Sequence, residues 1–144
     1  MSPDLPDLTT QNMVKIFPLR VKRIYDAVAT EDGVRFLADR LWPRGLKKEK
    51  AKVDLWLKEV APTDELRRWF GHDPKRWAEF QKRYIAELNA HPDAWQPILK
   101  ACRTSVVSLL YGSRDTERNN AIVLRNYLAA KLRPKKIGDG SILT

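Results

Sequence analysis

A compact α/β domain, with a small, mostly parallel sheet of about four strands flanked by about four helices, is predicted by three features of the sequence. Short runs rich in β-branched and aromatic residues lie near the N-terminus, and the middle of the chain repeats apolar residues at helical spacing. A nearly continuous apolar run, SVVSLLY, then passes through a tight loop into a final amphipathic segment. The 144 residues are enough for one domain with its own core, and 43% of them are hydrophobic. The folded body is expected over residues 15–133, between a flexible arm (residues 1–14) and a flexible tail (residues 134–144).

The first strand is predicted near residues 19–25, within LRVKRIYD, and ATEDGV follows as a turn through Asp32 and Gly33. VRFLADRLW places Val34, Phe36 and Ala38 on one face and reads as a strand that ends before Pro43 and Gly45. A third strand is expected in VDLWLKEV.

Helices follow. Thr63 is a natural N-cap for TDELRRWF, with Asp64 and Glu65 in the first turn, Leu66, Trp69 and Phe70 on one face and Gly71 as the stop. Asp73 and Pro74 open a second helix whose stripe is Trp77, Phe80, Tyr84 and Leu88. A third begins around Pro92 and carries Trp95, Ile98, Leu99 and Cys102 inward, with Pro97 near its first turn. SVVSLLY reads as a buried central strand, and the last helix is expected to start from Asp115 as its cap and to place Leu124, Leu128 and Leu132 on the core.

Lysine and arginine outnumber acids 27 to 18, a formal charge of +9 that attracts polyanions without distinguishing among phosphate carriers. Cys102 is the only cysteine, which excludes an internal disulfide and a cysteine-based zinc site and makes a reducing cytoplasm the natural location. The opening MSPDLPDLTTQN has no basic-then-apolar leader pattern, and no window approaches the roughly 18 apolar residues that span a bilayer, so no membrane role is expected. His72 and His91 have no partners at metal-ligand spacing, and the glycine-rich nucleotide loops and serine elbows of familiar enzymes are absent. Neither a metal nor a cofactor is expected.

Two segments are the candidate site. YGSRDTERNN lies where an α/β sheet places its ligands, outside the carboxyl end of a strand, and there Ser113, Arg114, Arg118 and helical N–H groups are suited to an anion. DRLWPRGLKKEKAK gathers Arg40, Arg44, Lys47, Lys48, Lys50 and Lys52 around Glu49, with Trp42 as a flat face between two guanidinium forks. A capped turn and a solvated lysine loop are the plainer readings of the same residues. Asp39, at a strand end, is a candidate base, as is Asp115, although an acid beside Arg40 more often pairs with it.

These segments resemble the YeaO-like branch of the domain-of-unknown-function 488 family. The resemblance runs through RIYD, EDGVRFLADRLWPRG, VDLWLKEVAPTDELRRWFGHDPKRWAEFQKRY and LLYGSRDTERNNAIVLRNYL, from about residue 23 to residue 128. It implies a compact α/β domain with its signature residues near two loops: Asp39, Arg40, Trp42, Pro43, Arg44 and Gly45 in one, Arg114, Asp115, Thr116 and Asn119 in the other. It carries no chemical roles with it. Related sequences have histidine where this chain has Arg118 and Asn120, and more distant branches have cysteine where it has Tyr111, so neither a histidine proton relay nor a thiolate nucleophile is implied.

The ligand-binding set is therefore Arg40, Trp42, Arg44, Ser113, Arg114, Asp115 and Asn119, and its expected partner is an anionic small molecule such as a nucleotide. The alternatives are a nucleic-acid surface formed by residues 40–52 together with Lys131, Arg133, Lys135 and Lys136, or an interaction protein whose charge serves solubility. Enzyme or not, and the oligomeric state, stay open.

Overall fold

The computed structural model describes residues 16–133, so the predicted arm and tail lie outside the described residues. Four strands form one sheet: β1 (Leu19–Arg23), β2 (Val34–Leu37), β3 (Leu55–Trp56) and β4 (Val107–Tyr111). Their order is β1-β4-β2-β3 and every pair is parallel. Five helices accompany them: α1 (Lys48–Ala51), α2 (Asp64–Phe70), α3 (Trp77–Ala90), α4 (Pro92–Cys102) and α5 (Asn120–Leu132). The predicted α/β architecture is the observed one, with one short helix, α1, beyond the predicted four.

SVVSLLY supplies the central strand, as its unbroken apolarity requires. β4 is buried along its whole length and is paired on both sides, Leu19 to Arg23 facing Val107 to Tyr111 and Val34 to Leu37 facing Val107 to Leu110. Strand alternation then divides the sheet into two faces. Phe36 and Ala38 of the β2 segment and Val107, Leu109 and Tyr111 of β4 point to the main core, with Phe80, Tyr84 and Leu88 of α3, Ile98 of α4 and Leu124 and Leu128 of α5. Leu37 and Leu110 point the other way, to a smaller core with Ile24 and Ala51 that Trp42, Leu46, Val53 and Trp56 cover.

The second strand is shorter than VRFLADRLW predicts, and its partner is the reason. Ala38 N–H donates to the Leu110 carbonyl at 3.0 Å, and β4 ends one residue later, so residues beyond Ala38 have no ladder to join. They leave the sheet with Asp39 at its carboxyl edge. The third strand likewise reduces to two residues, whose register is Phe36 with Leu55 and Leu37 with Trp56.

The helix ends follow local chemistry. Thr63 Oγ1 accepts the Leu66 N–H at 3.2 Å and Gly71 closes α2 at φ 52°, both as the sequence predicts. Asp73 Oδ1 accepts the Lys75 N–H at 3.0 Å, and Pro74–Arg76 forms a 3-10 turn before α3. Pro97 lies inside α4, and the carbonyl its missing N–H would have reached, four residues earlier, belongs to Asp93, an exposed residue of the first turn. Trp95 is buried, whereas Trp69 and Trp77 are partly buried against the main core. Burial raises the Cys102 thiol to about 11, so this side chain is a small packed hydrophobe.

One cap differs from expectation. Asp115 does not cap the last helix; its Oδ1 accepts the N–H groups of Glu117 and Arg118, both at 2.9 Å, and closes a separate turn. Asn119 is the cap, with Oδ1 accepting the Ile122 N–H at 3.0 Å and Nδ2 donating to the Asp115 carbonyl at 2.9 Å. Asparagine and aspartate share the short acceptor that caps a helix, so SRDTERNN offers two competing starts, and only the fit of α5 against β1 and β4 selects the later one. Asn119 is 2% exposed. Asn119→Ala is expected to cost about 1–2 kcal/mol and Asp115→Ala less. Urea denaturation of the two variants checks the order, and a larger loss for Asp115→Ala would overturn it.

Candidate functional site

The strand order creates a crevice. After β2 the chain moves outward to β3, whereas after β4 it turns into α5, which packs over β1 and β4. The loops leaving two adjacent carboxyl ends therefore diverge, the condition under which open parallel sheets bind ligands. A cleft of about 620 Å³ occupies this position, within the size range of small-molecule sites.

Four hydrogen bonds hold its floor. Gly112 N–H donates to Asp39 Oδ2 at 2.8 Å, so the two strand ends are clasped directly. Asn120 Nδ2 donates to the Ala38 carbonyl at 2.8 Å, and Trp56 Nε1 donates to the Asp39 carbonyl at 2.7 Å. Tyr25 donates its hydroxyl proton to the Arg44 carbonyl at 2.8 Å, fixing the DRLWPRG loop against the end of the first strand segment.

The two predicted loops do meet here. Arg40, Trp42, Arg44, Ser113 and Asn119 all line the cleft, whereas Arg114 and Asp115 do not. Arg114 is exposed and pairs with no acid among the described residues, and Asp115 is occupied by its turn and by Arg118 at 3.4 Å. The N–H groups of Arg118 and then Glu117 hold the Asp115 carboxyl below the usual carboxylate range, which makes it a poor base. Trp42 is not a free platform on both sides. Its Nε1 donates to the Leu46 carbonyl at 2.6 Å and its ring meets Trp56 edge-on at 5.4 Å.

The lining carries five arginines and one carboxylate. Arg40 is committed to the scaffold, donating to the carbonyls of Pro62 at 3.0 Å and Ala61 at 3.1 Å. Arg67 reaches Asp64 at 3.2 Å while its Nε is buried without a hydrogen-bond partner. Arg44 and Arg68 are exposed and pair with no acid among the described residues, so their forks are available to an anion. Asp39, the one acid, is not paired with Arg40. Burial raises its carboxyl above the usual value, and the Gly112 N–H, the Asn120 side chain and the nearby His72 oppose that shift only in part.

Arg67, Arg68 and His72 were not legible as site residues. The sequence marks α2 by its apolar stripe, and an arginine pair on the opposite side is ordinarily a solvated face. The signal available was the doublet directly before the Gly71–His72 turn, where both residues have positive φ, 52° and 58°. That turn brings His72 back to the cleft. Among the described residues no group of His, Cys, Asp and Glu is suited to a metal ion, and no helix is long and apolar enough to cross a membrane.

Comparison with known proteins places these residues in a family. The profile described as the inactive DUF488-N3 subclade matches residues 18–142. The uncharacterised protein YeaO of Escherichia coli K12 is 38% identical over 110 residues, covering 76% of this chain and 96% of that protein. The uncharacterised proteins Mb3100c of Mycobacterium bovis and Rv3073c of Mycobacterium tuberculosis are each 40% identical over 116 residues, covering 81% of this chain and 98% of theirs. No solved structure matches the chain significantly.

Proposed function

We propose that this chain, which belongs to the YeaO-like branch of the DUF488 family and to its inactive N3 subclade, binds an anionic small ligand in the cleft between β2 and β4 without transforming it. The observation that carries this reading is the imbalance of the lining among the described residues, five arginines against one carboxylate, with Arg44 and Arg68 uncommitted to any described acid. Charge-assisted hydrogen bonds from such forks are the strong ones, and phosphate or carboxylate fits them two bonds at a time. The description of the subclade as inactive, and the consumption of Asp115 by its own turn, favour binding over catalysis. A reducing cytoplasm suits the single buried thiol of Cys102.

A distributed nucleic-acid surface is less well supported. α1, with the lysine run, packs over the smaller core on one face of the sheet, whereas α5, with Lys131, packs on the other. The described parts of the two basic segments therefore lie on opposite faces of the sheet. Lys131 also lies over the rings of Tyr127 and Trp95, at 4.8 and 5.1 Å, and Lys135 and Lys136 lie outside the described residues.

Isothermal titration of the full chain with pyrophosphate and ribose 5-phosphate tests the proposal. The double variant Arg44→Ala/Arg68→Ala should bind about ten- to a hundredfold more weakly, since a hydrogen bond to a charged group contributes about 1.5–3 kcal/mol. Arg114→Ala, outside the cleft, should bind as wild type. Equal affinity for wild type and the double variant, or no binding of either anion, would overturn the reading.

A further inference from the structure

Resting on that reading of the cleft, one residue does not fit a site for a bare anion. Asp39 is the only acid among the described residues of the lining, it sits at the floor, and it repels any phosphate that enters. Yet none of the five arginines forms an ion pair with it; Arg40 turns to the Ala61 and Pro62 carbonyls and Arg67 to Asp64. Its Oδ2 accepts the Gly112 N–H and the Asn120 side chain also bonds the carboxyl, two donors for a group with about four lone-pair sites, which leaves acceptor capacity on the carboxylate. Burial penalises its charge, so the position is costly to keep ionised without a further donor.

The surroundings specify what that donor belongs to. Trp42 lines the same cleft with a partly buried flat ring, the buried Phe70–Phe80 stack contributes only its edge, and the cations Arg44 and Arg68 are exposed to solvent. A ligand matching all three features has an acidic end for the arginines, a planar body for the Trp42 ring and an N–H group for the carboxylate.

We infer that Asp39 is a specificity-determining residue that selects nucleotide-class ligands, accepting an N–H of the base while Arg44 and Arg68 hold the phosphate. Asp39→Asn isolates the role. With its carbonyl oxygen kept on the Gly112 N–H, the amide presents a donor to the cleft where the carboxylate presented an acceptor. A site built to accept a ligand N–H loses that discrimination when the acceptor is replaced.

Isothermal titration with ribose 5-phosphate and with AMP, GMP, CMP and UMP, on the full chain and on Asp39→Asn, reads this out. Wild type is expected to bind at least one nucleotide about tenfold or more tightly than ribose 5-phosphate. Asp39→Asn should lose that preference while holding ribose 5-phosphate as tightly or more tightly, because a repelling charge has gone. A preference that survives in Asp39→Asn, or wild type binding nucleotides and ribose 5-phosphate equally, would overturn the role of Asp39 and leave the anion site standing. Wild type binding none of the five would remove the anion site as well. Should Asp39→Asn fail to fold, Asp39→Glu keeps the charge and displaces the acceptor, and an unchanged order among the four nucleotides would count against the inference.

Discussion

Asp32→Ala is expected to destabilise the fold by about 3–5 kcal/mol, the usual loss when one member of a buried ion pair is removed and the other stays behind. The Asp32 and Arg35 side chains are 6% and 4% exposed and meet at 2.6 Å. Asp32 also accepts Lys22 Nζ at 2.9 Å and the Ala29 N–H at 2.9 Å, while its backbone carbonyl accepts the Ser108 hydroxyl at 2.8 Å. Arg35 in turn donates to the carbonyls of Ala51 at 2.8 Å and Lys52 at 3.0 Å. The carboxylate thus joins β1, the turn before β2 and, through Arg35, the end of α1, while the Asp32 carbonyl ties the turn to β4, and removing the carboxylate strands a guanidinium inside the sheet's second face. The double variant Asp32→Leu/Arg35→Met should lose less than the sum of its single losses, since no unpaired charge stays buried. Urea denaturation at neutral pH of Asp32→Ala, the double variant and its two single variants, Asp32→Leu and Arg35→Met, measures these losses. A loss below about 1 kcal/mol for Asp32→Ala, or strict additivity, would sink the account.

The same group sets an acid dependence with a definite sign. Burial alone raises the Asp32 carboxyl, but the hydrogen bonds from Lys22, Ala29 and Arg35 outweigh it and leave the folded value below the ordinary one. A depressed carboxylate contributes stability that is complete above its unfolded value and is lost as the pH falls through the folded one. Wild type should therefore lose this contribution on acidification, and Asp32→Ala should have none of it to lose.

How much of this is legible beforehand depends on whether a residue's fate is decided locally. Thr63, Gly71 and the Phe80, Tyr84, Leu88 stripe act within one helix, and they are where the sequence predicts them. SVVSLLY is apolar on both faces because both are covered, so its central place can be read directly. Asp115 and Asn119 compete for one helix start, and the choice between them is made by packing that has no local trace. Arg35 alternates with Phe36 as any strand residue does, yet its burial depends on Asp32 coming round the preceding turn. The cleft divides in the same way. Its two loops follow from where strands end, but the α2 wall that brings Arg67 and Arg68 to them is a matter of tertiary docking alone.

Gly33→Ala is expected to be the most damaging single-methyl change, costing more than about 3 kcal/mol, because backbone strain and a backbone clash coincide there. Gly33 has φ 65° and ψ −136°, a conformation that side chains other than glycine's hydrogen do not adopt without strain. A Cβ at this position would lie 2.1 Å from the Val106 carbonyl oxygen, which is backbone and has no rotamer by which to move away. That carbonyl also accepts the Val34 N–H at 2.8 Å, the first bond that docks β2 on β4. Relief of the clash must therefore push the two strands apart where their register, Val34 with Val107, is set, and the displacement runs along β2 to Asp39 and its bond with Gly112. Gly45→Ala is the matching control. Gly45 has φ 74° but nothing within 4 Å of where an added methyl group would sit, so it should show the strain alone, about 1 kcal/mol. The difference between the two losses, measured by urea denaturation, isolates the steric part. If Gly33→Ala is no worse than Gly45→Ala, close approach of Gly33 to β4 does not set the register that brings Asp39 to Gly112.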